Sequence, residues 1–497
     1  MRQLADFQAV LASIMELVEG SEFARIENIE RSFAIYNGHH SEEFPRYDAE
    51  TDDDYDRRIN VDAYNINFVA RIADTLTAYL YGSDIQRKCK DEAAQTLMEE
   101  HWKRTDMKLY MQGIKLTGAV SGTGFTVARW LPKDMPDTEI PIRYVPVDPA
   151  YVTLTFDPAE PTRVREVIIH YMYDDVTGVT MVDRHRGSTK IPHHYVEYIS
   201  DEEWLIWIDD KLQDGTNGQR DLMNFKKFGG KNPFESVDVV FTVYRNYQIN
   251  RSVYGVSDIK NVLPLNLKLD ERKTDEGITI SYHSTPALVG DFEMDGLIRG
   301  GNRMWQIPLG RKLDYLTWNN NIAASIQHSD RLLRDLITMG RLPEAAMFAE
   351  GIRQLRSAPA LELAFAPAKE AVKVQRVTYG NAEVKRIQGD LRMLEILGGK
   401  RFESMDVELV WPQKFLPIDS FVEMETYRVR RELGLDTWEQ QLKRDYPDMT
   451  DEQIAKHIEK CKADPLFGKG GGSFFSSPAE KSAEQEEPVR APGGAKE

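Results

Sequence analysis

Three stretches of this sequence hold residues whose types and spacing could do chemistry. The first is Gly118-Ala119-Val120-Ser121-Gly122-Thr123-Gly124, a glycine-rich run of the kind that cradles phosphate. A phosphate loop needs a Lys-Ser/Thr ending to reach the outer phosphates and hold magnesium, and none follows here. The run also leads from a helical pattern into a strand pattern, the reverse of a dinucleotide-binding turn. A glycine-permitted sharp turn is therefore expected. The second stretch, Glu42 to Asp56, holds eight acids against one arginine. Read as a calcium loop with Asp48, Glu50 and Asp52 as ligands, it puts Asp53 where the glycine belongs and Ile59 where the bidentate glutamate belongs. A solvated acidic loop fits better. The third is a pair of doublets, His39-His40 and His193-His194. Adjacent side chains diverge on a helix and on a strand, so neither doublet makes a metal site by itself. HExxH, CxxC and GxSxG patterns are all missing. The expectation is no catalytic residue, no metal and no cofactor.

The elements that would position any site can be read from pattern. A chain of 497 residues exceeds what one hydrophobic core usually serves, so more than one domain is expected. Its 41% hydrophobic content excludes a wholly disordered chain, and Cys89 and Cys461 exclude a disulfide scaffold. The first twenty residues read as an amphipathic helix and not a signal peptide, and no run is apolar enough for a membrane span. With 63 basic against 80 acidic residues, the net charge of -17 opposes non-specific adhesion to DNA or anionic lipid. Residues 1–120 look mainly helical, with Phe68, Ile72 and Leu76 in a pattern that ends at Gly82. From Phe125 to Tyr247, alternating β-branched and aromatic residues predict strands, among them FTVARWL, IRYVPV, VREVIIHYMY, HHYVEYIS and EWLIWI. Helical spacing returns near 257, a second strand-like patch covers 286–317, and long helices follow to about 463. Residues 466–497, rich in Gly, Ser, Pro and Glu, are expected to be a disordered tail. The fold class expected is α+β, mainly helical.

The order of elements from 254 onward is distinctive. Tyr254-Gly255-Val256-Ser257-Asp258-Ile259 opens a helix with Ser257 as its expected N-cap. Pro286-Ala-Leu-Val-Gly290 follows, then Ile307-Pro-Leu-Gly310 with Leu313-Asp-Tyr-Leu316. A second helix carries Ile322, Ile326, Leu333 and Ile337 on one face and stops at Gly340-Arg-Leu-Pro343. Ser357-Ala-Pro-Ala-Leu361 precedes a long helix with Val377, Val384, Ile387, Leu391 and Leu394 at three/four spacing. Leu416-Pro-Ile-Asp419 and LGLDTWEQQLKRDYPDMTDEQIAKHIEK end the ordered part. In this order, over roughly residues 30–465, the sequence resembles the portal proteins of tailed double-stranded-DNA bacteriophages with long non-contractile tails. Ser357-Ala358 departs from the Ser-Gly of many relatives, which bears on the backbone of that turn.

The resemblance implies a portal fold with named regions. These are a wing (1–256 and 372–415), stem helices (257–283 and 319–340), a clip (284–318), a connection with a tunnel loop (341–371) and a crown (416–465). It implies a dodecameric ring in the virion, at the capsid portal vertex, assembled in the host cytoplasm. Double-stranded DNA would pass through it non-specifically during packaging and ejection. The implied partners are the terminase large subunit, head-tail connector or adaptor proteins, and major capsid and scaffolding proteins. Ala366, Pro367, Ala368 and Lys369 would form the DNA-facing tip of the tunnel loop, or else an ordinary helix–helix turn. Lys268, Arg272 and Lys273 would line the stem channel, or else belong to a solvated helix face. Met304, Trp305 and Ile307 would serve clip docking and intersubunit pairing, or else the clip's own core. Pro264 predicts a kink or a helix start. The competing readings are a head-completion or scaffold-type assembly protein without a channel, and a DNA-processing enzyme.

Overall fold

The computed structural model describes residues 21–132, 134–174, 178–179, 193–209, 211–213, 225–249, 252–284, 287–290, 312–316, 322–343, 363–412, 430, 434, 437–445 and 451–463. The chain separates into two units, Met1–Phe415 and Leu416–Glu497. Helix and strand are both present and largely segregated along the chain, with helix in excess, an α+β arrangement as expected.

The described part of the first unit opens with α1 (Ser21–Tyr36), α2 (Asp52–Asn60) and α3 (Phe68–Tyr81), and the amphipathic helix expected over the first twenty residues lies outside the described residues. The acidic stretch forms α2 because Thr51 accepts the Asp54 N–H and three aspartates fill the first turn, where the helix dipole favours them. In α3, Asn67 accepts the Ala70 N–H, and Val69, Ile72, Ala73, Leu76 and Leu80 make one fully buried stripe. Next come β1 (Gln86–Cys89), α4 (Glu92–Arg104) and α5 (Met107–Ser121). Helix α5 stops at Gly122, whose φ of 95° suits glycine. The glycine run is thus the turn it was read as, and it leads into β2 (Thr123–Trp130).

Strand β2 lies between β3 (Ile142–Val147) and β10 (Phe241–Arg245) in an antiparallel sheet. A larger antiparallel sheet runs through β4 (Val152–Asp157), β5 (Glu160–Asp174), β7 (His193–Ser200), β8 (Trp204–Ile208) and β9 (Lys211–Leu212), with β6 (Gly178–Val179) beside β5. Alternation explains the registers: Val167, Ile169, Ile199 and Ile206 turn one way into the main core. Residues 237–240, which open the strand-patterned run Val237–Tyr244 (VDVVFTVY) within the stretch expected to form strands, form a helical turn instead, and the strand starts at Phe241.

Helix α6 (Leu263–Ser284) begins six residues after Ser257, so its 22 residues span roughly 33 Å at ~1.5 Å per residue. Ser257 is not its N-cap: its hydroxyl donates to the Ala119 carbonyl and accepts the Ile259 N–H. Pro264 sits in the first turn, where a missing N–H costs nothing; it marks a start and not a kink. Strands β11 (Ala287–Gly290) and β12 (Leu313–Leu316) pair antiparallel. Helix α7 (Ile322–Met339) packs on α6. Helix α8 (Ala366–Ile396) starts six residues earlier than expected, and β13 (Val407–Val410) returns to pair with β1.

The second unit contains α9 (Trp438–Asp445) and α10 (Asp451–Ala463), packed on each other. Thr437 and Gln440 exchange side-chain and backbone hydrogen bonds as a capping box, and Lys443 meets Asp451 at 2.6 Å. The expected tail at 466–497 lies outside the described residues.

Candidate functional site

Three buried polar junctions join elements that are distant in sequence, and all three involve α6, α8 or the turn before α6. At the first, Lys115 of α5 donates to Asp258 (2.7 Å) and to Asn246 (2.6 Å). Gln375 of α8 donates to the same two side chains, at 2.9 and 3.1 Å. Burial pulls the Lys115 ammonium below its usual pKa, and the Asp258 carboxylate opposes that. The turns close over this pair. A Cβ on Gly122 would lie 2.6 Å from the Gly255 carbonyl oxygen, which is why glycine is required at this close approach.

The second junction links α6 to the start of α3. His40 Nδ1 meets Asp270 at 2.5 Å, and Asn266 donates to Asp270 at 2.7 Å. Asn266 Oδ1 accepts the N–H groups of Phe68 and Val69, and Asp270 accepts that of Ile66. Side chains of α6 therefore cap α3 from outside. Burial raises the Asp270 carboxyl, partly offset by its hydrogen bond from His40. The third junction lies under α8. Arg386 pairs with Asp390 (2.9 Å), and Tyr144 bridges Asp390, Arg386 and His101. Burial pushes Asp390 up to about 6 against the pull of Arg386. Burial, with Arg386 and Arg104 nearby, pushes His101 down to about 3.

The residues singled out from sequence divide into three sets. Ala366, Pro367, Ala368 and Lys369 do not form a loop tip; they are the first turn of α8. Pro367 occupies a first-turn position that suits proline, and Ala368 is fully buried. Lys268, Arg272 and Lys273 lie on α6, each beside an acid three residues on: Glu271 at 2.7 Å, Asp275 at 3.7 Å and Glu276 at 3.1 Å. Glu276 is also bound by Ser325 and Ser329 of α7. Met304, Trp305 and Ile307 lie outside the described residues. The junction residues Lys115, Asp258, Gln375, His40, Asp270, Arg386 and Asp390 were missed. Lys115 had a signal: it falls on the apolar face of α5 with Met111, Ile114 and Gly118.

The histidine doublets diverge, as strand and turn geometry require. His193 pairs with Asp209 while His194 stacks on His170, and His39 meets Glu42 while His40 meets Asp270. Among the described residues no group of three or more His, Cys, Asp or Glu could hold a metal, and no helix is long and apolar enough to cross a membrane. A half-open cleft of about 410 Å³ lies between the end of α3 and the α4–α5 turn. Of its cations, Lys108 pairs with Asp84 and Arg87 with Glu383.

The geometry is thus that of paired helices anchored to a mixed core through buried polar contacts. No curated protein matches the chain. The family described as "Phage portal protein, SPP1 Gp6-like" matches residues 18–455. The chain belongs to this family of phage portal proteins.

Proposed function

We propose that the chain forms a ring-shaped channel at one vertex of the capsid of a tailed phage with a long non-contractile tail. Double-stranded DNA would enter through it during packaging and leave through it at infection. Family membership over residues 18–455 carries this reading. Portal proteins are structural and not enzymatic, and the family implies ring assembly in the phage head with capsid and terminase partners.

In this reading the wing comprises the α1–β10 region with α8 and β13, the stem comprises α6 and α7, the clip comprises 284–318, and the crown comprises 416–465. The clip segment with Met304, Trp305 and Ile307 would offer the docking rim for the terminase large subunit and later for head-tail connectors. The charge pattern supports a conduit that does not bind its cargo. Each lysine–phosphate contact adds a salt-dependent increment of affinity, with a log–log slope of about 0.9 per contact, and would slow passage. The three stem cations sit beside carboxylates of their own helix, and the chain carries a net charge of -17. Lys268, Arg272 and Lys273 would therefore meet the DNA as parts of near-neutral pairs and not as a basic track.

Light scattering combined with negative-stain imaging of the full chain tests the proposal. A ring of about a dozen copies with an axial hole is expected. A single chain of 57.0 kDa at micromolar concentration, or ATP hydrolysis or DNA cleavage that survives further purification, would overturn it.

A further inference from the structure

Helix α8 carries one apolar seam with two different fates. Pro367, Glu370, Val374, Val377, Asn381, Val384, Gln388 and Leu391 follow three/four spacing along the helix, and Leu363 lies just before its start. Toward its C-terminal end the row turns inward: Asn381 is exposed, Val384 and Gln388 are half-buried, and Leu391 is fully buried. Over the first half it is bare, with Leu363 77%, Val374 51% and Val377 61% exposed. Beside the bare half Lys373 pairs with Glu370, and further along Lys385 pairs with Asp238, which leaves the half-buried Lys369 and Arg376 as the cations of its rim on a chain of net charge -17.

A second surface has the opposite character. Around α2, Asp48, Asp52, Asp53, Asp54 and Asp56 are exposed. Beside them Val61 is 74% and Tyr64 47% exposed. The α2 region packs on the turn Ser41–Glu43 and, through it, on α6, whereas α8 packs on α3, β10 and β13. Because Val374, Val377, Val61, Tyr64 and the named aspartates are all exposed in one chain, the two surfaces do not bury each other there.

The geometry points to a head-to-tail interface between copies of this chain, in which the acidic α2 surface of one copy covers the bare first half of α8 of the next. Apolar side chains face apolar side chains at the centre, and the rims are opposite in sign. Two different surfaces on each chain make a heterologous contact, the type that closes into rings. The inference rests on the ring reading above and adds which surfaces meet.

The test uses two full-length variants, Val374→Asp/Val377→Asp and Asp53→Lys/Asp56→Lys, analysed by light scattering and by thermal melting followed by circular dichroism. Each alone is expected to run as the single chain. Mixed together they retain one intact junction, so a dimer is expected and a ring is not. Rings formed by either variant alone at wild-type yield would overturn the assignment while leaving the ring itself intact. A wild-type chain that never forms rings would overturn both readings. Should the aspartate pair prevent folding, a photo-crosslinking residue at Val377 in the otherwise native chain replaces it. Crosslinks into residues 47–64 of a neighbouring copy are expected, and crosslinks confined to any other segment would overturn the proposal.

Discussion

The junction at Lys115 allows a quantitative test of how the turn before α6 is held. Lys115→Met keeps side-chain length and removes the cation. It leaves the Asp258 carboxylate buried without its cation, with neutral hydrogen bonds from the Gln375 amide and the Tyr247 hydroxyl, and leaves the Asn246 carbonyl oxygen with Gln375 alone. Breaking a buried pair from one side costs about 3–5 kcal/mol, because the surviving charge stays out of water. Unfolding entropy is about 2.1 cal/mol/K per residue, so a cooperative unit of residues 1–415 has roughly 0.9 kcal/mol/K, and the melting temperature should fall by about 3–6 °C. Asp258→Asn should also destabilise. The double variant, with neither charge left, should lose about 1–3 kcal/mol less than the sum of the two. Differential scanning calorimetry of the four proteins completes the cycle. A Lys115→Met protein that melts within about 1 °C of wild type, or additivity within about 0.5 kcal/mol, would refute the argument that this pair holds the turn.

Two further outcomes follow from buried groups. His101, pushed down to about 3, contributes stability that is present above its unfolded pKa near 6.5 and is lost as pH falls; Asp390, pushed up to about 6, contributes stability that is present below about 4 and lost as pH rises. Between about pH 4 and 6 the two slopes of about 1.4 kcal/mol per pH unit oppose each other. Asp390→Asn should therefore steepen the acid loss by about that slope, and melting curves of variant and wild type that stay parallel across this window would contradict it. At the start of α8, Ala368→Trp should lower stability by about 1–3 kcal/mol or more through overpacking, whereas Lys369→Ala, relieving a cation at the positive end of the helix dipole, should be neutral or stabilising by a few tenths. Urea unfolding of both measures this, and an unperturbed Ala368→Trp protein would restore the exposed-loop reading of that turn.

The sequence was most readable where local pattern decides structure. Alternation identified β2 to β5, β7 and β8 because each strand has an apolar face, and Pro264, read as a kink or a start, is a start for a local steric reason. Ala366-Pro367-Ala368 was misread, since small residues beside proline suit a loop tip and a helix start equally well. Only the packing of Ala368 separates the two. The pairing of β1 with β13 joins Gln86 to Val410, and nothing in either short segment names its partner. Lys115 and His40 were missed for a related reason. A charge on an apolar face signals burial, but its counter-charge at Asp258 or Asp270 is visible only after folding.

The three junctions explain why ionic groups were placed inside a core that apolar residues could fill. Buried pairs are often no more stabilising than apolar side chains of the same volume, so stability alone does not account for them. What they do impose is register. His40 and Asp270 are 230 residues apart, Lys115 and Asp258 are 143 apart, and Tyr144 and Arg386 are 242 apart; each contact is satisfied in one relative placement of its elements. The first sets α6 against α3, the second fixes the turn before α6 against α5 and α8, and the third sets α8 against the sheet. A chain that closes a ring through a heterologous contact repeats one rotation at every junction, so a small angular error in each subunit accumulates around the circle. Apolar packing tolerates small slips at little cost, whereas a buried charge displaced from its partner loses several kcal/mol. The polar junctions thus spend stability on the angle at which α6 and α8 leave the core, and closure of the proposed ring would depend on that angle.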